Sequence, residues 1–239
     1  KMTSNTLVKI MARLHLVIKS AMDNGLIKQD PFMDYKYLTE PLVAKCLSEK
    51  EFNLILKTPL PKDNMNLVRD IFIFSCMTGL AFSDLRNLTP ENMKQAEDGV
   101  WWIHTARKKT GTPCHIPLME LPLQLIKKYC GISDQGRLFP MLSCSKTNIN
   151  LKKIAKYCGI ERCLTFHQAR HTYASLITLS QGVPMATVRE LLGHRSWKGT
   201  RIYAHLTQEK IGADMDDLQV RIREKFILAD NCPQRPDRV

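Results

Sequence analysis

The chain has no apolar run long enough to cross a bilayer; stretches such as Ile71 to Phe74 stop after four residues. It has no internal repeat and no low-complexity tract, which excludes solenoids and compositionally disordered tails as the main architecture. The chain opens with Lys1 and shows no signal peptide, and a start without methionine is expected of a piece cut from a longer protein. None of the eight cysteines (Cys46, Cys76, Cys114, Cys130, Cys144, Cys158, Cys163 and Cys232) stands in a Cys-x-x-Cys pair. Cys158 and Cys163 with His167 and His171 is the one metal-like cluster. Its Cys-to-His gap is far shorter than zinc-finger spacing, so no metal site is expected there. The cysteines read as reduced packing residues of a cytoplasmic protein. Acidic residues are also scarce. Thirty-five Lys and Arg face 23 Asp and Glu, a net charge of +12.

What is present is a chain of 239 residues, 44% hydrophobic and 24% charged, enough for one good-sized domain and part of another. The positive charge is uneven. Residues 141–210 hold 11 Lys and Arg against 3 Asp and Glu, which places eight of the twelve net charges there. A polyanion suits such a region, and nucleic acid is the usual one, although a generic basic surface reads the same way.

Leu7, Ile10, Met11, Leu14, Val17, Ile18 and Met22 recur at helical spacing, and Asn24-Gly25 and Asp30-Pro31 end the pattern. One helix cannot bury its own stripe, so residues 1–30 are expected to be the end of a neighbouring helical domain, with 31–46 a linker. Residues 47–229 read as the second domain, and 230–239 as a loose polar tail. Ser48 and Glu51 form a capping box ahead of a helix over 49–57. Helices are expected over 64–77, around Ser83-Asp84-Leu85, and over 119–130, 147–158, 167–180, 185–192, 197–205 and 209–227. Residues 92–117 read as a small antiparallel sheet, from Val100–Thr105 and Cys114–Ile116 around the turn Lys109-Thr110-Gly111. The fold class is therefore mainly α with a small antiparallel sheet.

Four clusters could carry chemistry. Thr165 and Gln168 frame a second capping box, which puts His167 and Arg170 on one face at a helix start, where free N–H groups and a guanidinium suit a phosphate. His194 follows Gly193, the expected C-cap of a helix, and alone reads as a loop histidine. Tyr203 lies nine residues further on. Such a tyrosine is usually a packing residue, and its phenol is a poor nucleophile without cations nearby. Lys109 sits on the hairpin tip, with Lys108 as its rival, and alone reads as part of a solvated turn.

In order and spacing these clusters resemble the catalytic domain of the tyrosine recombinases, the phage integrase family. The likeness runs from about Leu47 to Leu206. It rests on Thr78-Gly79-Leu80 before Ser83-Asp84-Leu85, then Lys109-Thr110-Gly111, His167-x-x-Arg170, Leu191-Leu192-Gly193-His194 and Tyr203. The nearest flavour is the integrases of Bacteroides-type conjugative or mobilisable elements. The resemblance implies a site-specific recombinase that cuts and rejoins double-stranded DNA without metal or cofactor, integrating or excising a mobile element. It implies that Tyr203 forms a 3′-phosphotyrosyl bond and that Arg170 clamps the phosphate. His167 and His194 assist by hydrogen bonds or proton transfer, and Lys109 protonates the leaving 5′-oxygen. His171 receives a packing or supporting part. The helix after Tyr203 implies docking onto a neighbouring protomer in a homo-tetramer on synapsed DNA, or else packing in cis.

One position departs from the pattern. The family's usual arginine after Thr-Gly-Leu is Ala81 here. Another basic residue is expected to substitute, and Arg86 is the nearest arginine, although five helical residues turn it about 140° away. The alternative is a catalytically impaired, DNA-binding member of the same family. A type IB topoisomerase is the remote third reading.

Overall fold

The computed structural model describes residues 4–36, 38, 45–133, 136–203 and 208–223. The chain divides into two units, residues 1–43 and 44–239.

The first unit is built on α1 (Ser4–Asp23), which buries none of its residues. Its stripe of Leu7, Ile10, Leu14 and Val17 lies exposed. Gly25, at φ 72°, turns the chain after the helix. Asp30 then closes the turn, accepting from the Phe32 N–H at 2.8 Å and bonding His15 Nε2 at 2.8 Å.

The second unit is wound around α3 (Asp63–Thr78), whose residues Met65, Val68, Ile71, Phe72, Ile73, Phe74 and Cys76 are all buried. A helix apolar on every side has to be covered on every side. The covering comes from α2 (Glu49–Lys57), α5 (Glu120–Tyr129), α6 (Cys144–Tyr157) and α7 (His167–Thr172). The capping box on α2 forms as expected. Ser48 accepts from the Glu51 N–H, and Glu51 accepts from the Ser48 N–H. Arg162 then grips Glu51 with two bonds of 2.7 Å and the Cys46 carbonyl with one of 2.6 Å. This holds the Glu51 carboxyl down at about 2. Inside, Asp70 of α3 is held by Lys128 at 2.5 Å and Tyr129 at 2.9 Å, both of α5.

The short helix α4 (Phe82–Leu85) leads to a three-stranded antiparallel sheet of β1 (Met93–Gln95), β2 (Trp101–Ala106) and β3 (Pro113–Pro117), in the order β1-β2-β3. His104 stands opposite His115, and Ile103 opposite Ile116. Ile103, Cys114 and Ile116 point inward, and Trp101 packs against the same core. Three further helices follow: α8 (Met185–Leu192), α9 (Lys198–Arg201) and α10 (Gln208–Ile222).

Several boundaries differ from the sequence reading. The helix expected over 167–180 is regular only to Thr172. It continues as a π turn over Tyr173–Thr178, where Thr178 bonds back to the Ala174 carbonyl at 2.8 Å, and as a 3₁₀ turn to Gln181. The second capping box is half made. Gln168 accepts from the Thr165 N–H, but the helix cap is Phe166 and no side chain caps it. The helix expected over 197–205 spans only Lys198–Arg201. The tail 230–239 lies outside the described residues.

The Glu51–Arg162 clamp gives a pH-dependent stability. Glu51 is depressed when folded, so its contribution is complete above its ordinary value of 4.5 and fades as pH falls toward about 2. Glu51→Gln is expected to cost about 1–2 kcal/mol at pH 7, discounted for partial exposure, and the difference from wild type should close below pH 4 in urea melts.

Candidate active site

The pocket begins at the C-terminal end of α3. Gly79 caps that helix at φ 71°, a conformation glycine reaches without strain. It is also a point of close approach, since a Cβ there would fall 2.4 Å from the Tyr173 ring and 3.0 Å from Leu192. Ser75 fastens the next turn by donating to the Leu80 carbonyl at 2.7 Å. Thr78-Gly79-Leu80 is thus first a packing device, fixing one backbone carbonyl in space.

Arg170 finds that carbonyl. It projects from α7, is 3% exposed, and donates from one terminal nitrogen to the Gly79 carbonyl at 2.7 Å. Its other terminal nitrogen donates to the Leu192 carbonyl, at the end of α8. The guanidinium therefore ties α3, α7 and α8 together and keeps N–H groups spare. Burial, with the Arg107 cation beside it, pulls its pKa down to about 10, still charged at neutral pH.

Gly193 ends α8 at φ 59°. A Cβ there would lie 2.4 Å from Cys114 Sγ and 2.7 Å from the Arg107 stem, so the glycine lets the helix end sit against the sheet. His194 follows and bonds Thr200 Oγ1 through Nδ1 at 2.9 Å, which leaves Nε2 for the pocket. Tyr203 comes after α9 and is 7% exposed. Its hydroxyl meets Nδ1 of His171 at 2.8 Å. The His171 ring in turn stands edge-on to that of His167, with centroids 4.5 Å apart. Lys109 is exposed on the hairpin tip, near enough for its charge to act on His167.

The electrostatics are those of a cationic site. Burial, then neighbouring charges, lowers His167 and pushes His171 and His194 down to about 4, so the latter two are neutral at pH 7. Burial raises the Tyr203 phenol, while Arg170 and Arg107 oppose it. An incoming phosphate would raise the three imidazoles again and would press the phenol further up.

Tyr203, Arg170, His167 and His194 thus come together, with Lys109 at the rim. Arg86 does not join them; it is exposed at the end of α4. The second guanidinium in the pocket is that of Arg107, which the sequence reading passed over. It follows β2 and is ion-paired at 2.6 Å to the buried Asp84, which also accepts from the Lys108 N–H at 3.1 Å. Its charge acts on Arg170, His167, His194 and Tyr203. The available signal was Ser83-Asp84, since a buried acid needs a cation. Ala81 lines an open cavity of about 360 Å³ beside His167, together with Phe82, Cys144, Asn148 and Phe166. Trp197 stacks over Arg189, with 4.6 Å from the guanidinium carbon to the ring centroid. Among the described residues, no three His, Cys, Asp or Glu side chains gather as metal ligands.

Residues 45–210 match the model of the phage integrase family. The chain is 28% identical over 216 residues to the tyrosine recombinase XerC of Neisseria meningitidis, covering 85% of this chain and 69% of that protein. Among solved structures it resembles the integrase of the Tn1549 transposon in complex with a circular intermediate DNA, at TM-score 0.70 and 20% identity, over 91% of this chain and 80% of that one. It also resembles the XerH site-specific recombinase bound to its difH substrate, at TM-score 0.60 and 18% identity. There it covers 74% of this chain and about half (54%) of the other.

Gly79→Ala should be among the costliest single changes. It strains a left-handed residue and drives a methyl into Tyr173. A loss on the order of 2–4 kcal/mol is expected by denaturant melt, with the tyrosine pocket disturbed at the same time.

Proposed function

The chain belongs to the phage integrase family, and on that premise we propose that it is a site-specific DNA recombinase that cleaves and rejoins DNA through a 3′-phosphotyrosyl bond at Tyr203. The observation that carries this reading is the setting of the Tyr203 hydroxyl, bonded to one pocket histidine and within the fields of Arg170 and Arg107.

In this reading Tyr203 Oη attacks the scissile phosphorus and the 5′-oxygen leaves. Arg170 uses its spare N–H groups on the non-bridging oxygens, where negative charge grows in the transition state. His194 donates through Nε2, His167 adds a further hydrogen bond, and Lys109 swings in from the hairpin tip to protonate the departing 5′-hydroxyl. The phosphodiester energy is kept in the tyrosyl link, so religation calls for no nucleotide cofactor. Each developing charge meets a cation or a donor of the chain, so the route calls for no metal.

Arg107 takes the place of the arginine that Ala81 lacks. It enters from the sheet instead of from the α3–α4 loop, and Asp84 aims it. This answers the concern that Ala81 marks an impaired copy, a reading that finds no support in the comparisons. A topoisomerase reading gains none either. We further assign residues 1–30 to the end of a core-binding domain, 31–46 to a linker and 47–229 to the catalytic domain. We retain a cytoplasmic setting and a mobile element, of the Bacteroides type, as the source of the substrate. Met215 and Leu218 of α10 are exposed, which supports docking of that helix onto a neighbouring protomer in a DNA-bound tetramer.

A nicked suicide duplex tests the chemistry. Wild type is expected to give a covalent protein–DNA adduct that Tyr203→Phe abolishes. Arg107→Ala should slow adduct formation by about 10²–10³, with Ala81→Arg restoring part of the loss in that background, whereas Arg86→Ala should change little. Adduct formation that ignores Arg107 but fails with Arg86→Ala would refute the assignment.

Truncation before Ile211 should abolish assembly of the DNA-bound tetramer in sizing experiments, and truncation after Ala229 should not. Unchanged assembly in the shorter chain would contradict docking in trans.

A further inference from the structure

The hydroxyl of Tyr203 has a partner that neither the pattern of clusters nor the proposed phosphate ligands account for. It is His171 Nδ1, 2.8 Å away, on a ring that also tilts against the tyrosine ring with centroids 5.5 Å apart. Resting on the reading of Tyr203 as nucleophile, we propose that His171 is the general base that takes the phenolic proton as Tyr203 attacks the phosphate.

The geometry favours His171 over the other two histidines. His194 spends its Nδ1 on Thr200. His167 stands behind His171, ring edge to ring face, and shares the helical face one turn earlier. With His171 protonated at Nε2, the phenol donates to the Nδ1 lone pair, and that bond is already the path of proton transfer. The step balances. The Tyr203 O–H bond breaks as Nδ1–H forms, the Oη–P bond forms, the P–O5′ bond breaks, and the 5′-oxygen takes its proton from Lys109. In the reverse step the proton on Nδ1 returns to the departing phenolate.

The charges around His171 set the timing. His167 and Arg170 face it from its own helix, Tyr203 from the segment after α9, and His194 from the loop after α8. Burial and these neighbours keep the imidazole unprotonated, with its Nδ1 lone pair on the phenol. A bound phosphodiester brings negative charge to the same cations and raises the basicity of the ring. Proton acceptance is thereby strongest when the substrate is in place. Before DNA arrives, the phenol stays protonated.

Adduct formation on the nicked duplex, with DNA affinity measured in parallel, tests the inference. His171→Gln is expected to leave affinity near wild type and slow the single-turnover rate by about 10²-fold or more. Fluorotyrosine at position 203, a more acidic phenol, should recover at least about tenfold of that loss, because a phenol that ionises readily needs less help from a base. His171→Asn serves as a second variant should the glutamine protein fold poorly. In the otherwise wild-type chain, fluorotyrosine should leave the acidic limb of the pH–rate profile in place, since that limb follows His171. A His171→Gln rate equal to wild type, a slow rate indifferent to fluorination, or an acidic limb that moves with the phenol would each overturn the assignment. Absence of any adduct from wild type would instead sink the proposed function, and this inference with it.

Discussion

The pocket exists because one buried guanidinium holds two helix ends together. Arg170 reaches the Gly79 carbonyl at the end of α3 and the Leu192 carbonyl at the end of α8. Helix ends leave their last carbonyls unpaired, and burying them costs free energy unless a donor arrives. Arg170 is that donor. Burial of its charge would be costly in isolation, and the two carbonyl dipoles and the nearby Asp84 offset that cost. The glycines at both ends follow from the same requirement. Gly79 makes room for Tyr173 and Leu192, and Gly193 makes room for Cys114 and the Arg107 stem. The residues that read as a phosphate clamp are therefore also the fold's fastening at this point, so structure and chemistry cannot be varied independently.

The same crowding sets the charge state of the pocket. Two guanidiniums and three imidazoles, of which His171 and His194 are partly buried, lie close together, and the imidazoles are the groups that give up protons. Asp84 and the β2–β3 register fix the stem of Arg107 at the base of the hairpin.

Much of this was legible in the sequence. The capping box at Ser48 and Glu51, the apolar helix around Phe72 and the glycine caps at 79 and 193 are local signals, and local signals survive folding. The strand Met93–Gln95 was harder, since three residues without alternation read as a strand only once Trp101–Ile103 pairs with them. The break of the 167–180 helix into a π turn at Tyr173 was invisible for a similar reason. The unwinding accompanies packing against α3 and the close approach to Gly79, contacts far apart in sequence. Of the pocket, the sequence brings forward Tyr203, Arg170, His167 and His194 by their order, and gives no such signal for Arg107. Its placement depends on Asp84, 23 residues earlier, and no spacing rule links the two. His171 was seen but given a packing part, because helical spacing shows which face it shares and not that Tyr203, 32 residues on, comes down against it.

The central claim is that residues 170 and 107 together form the anion cradle in front of residue 203. A crystal structure of the protein on a DNA duplex gapped at the scissile phosphate, with orthovanadate supplied in its place, tests this most directly. The account predicts vanadium bonded to the oxygen of Tyr203, with both guanidiniums in hydrogen-bond contact with its equatorial oxygens. Vanadate bound by Arg170 alone, with Arg107 turned away, or bound beyond reach of the phenol, would contradict it.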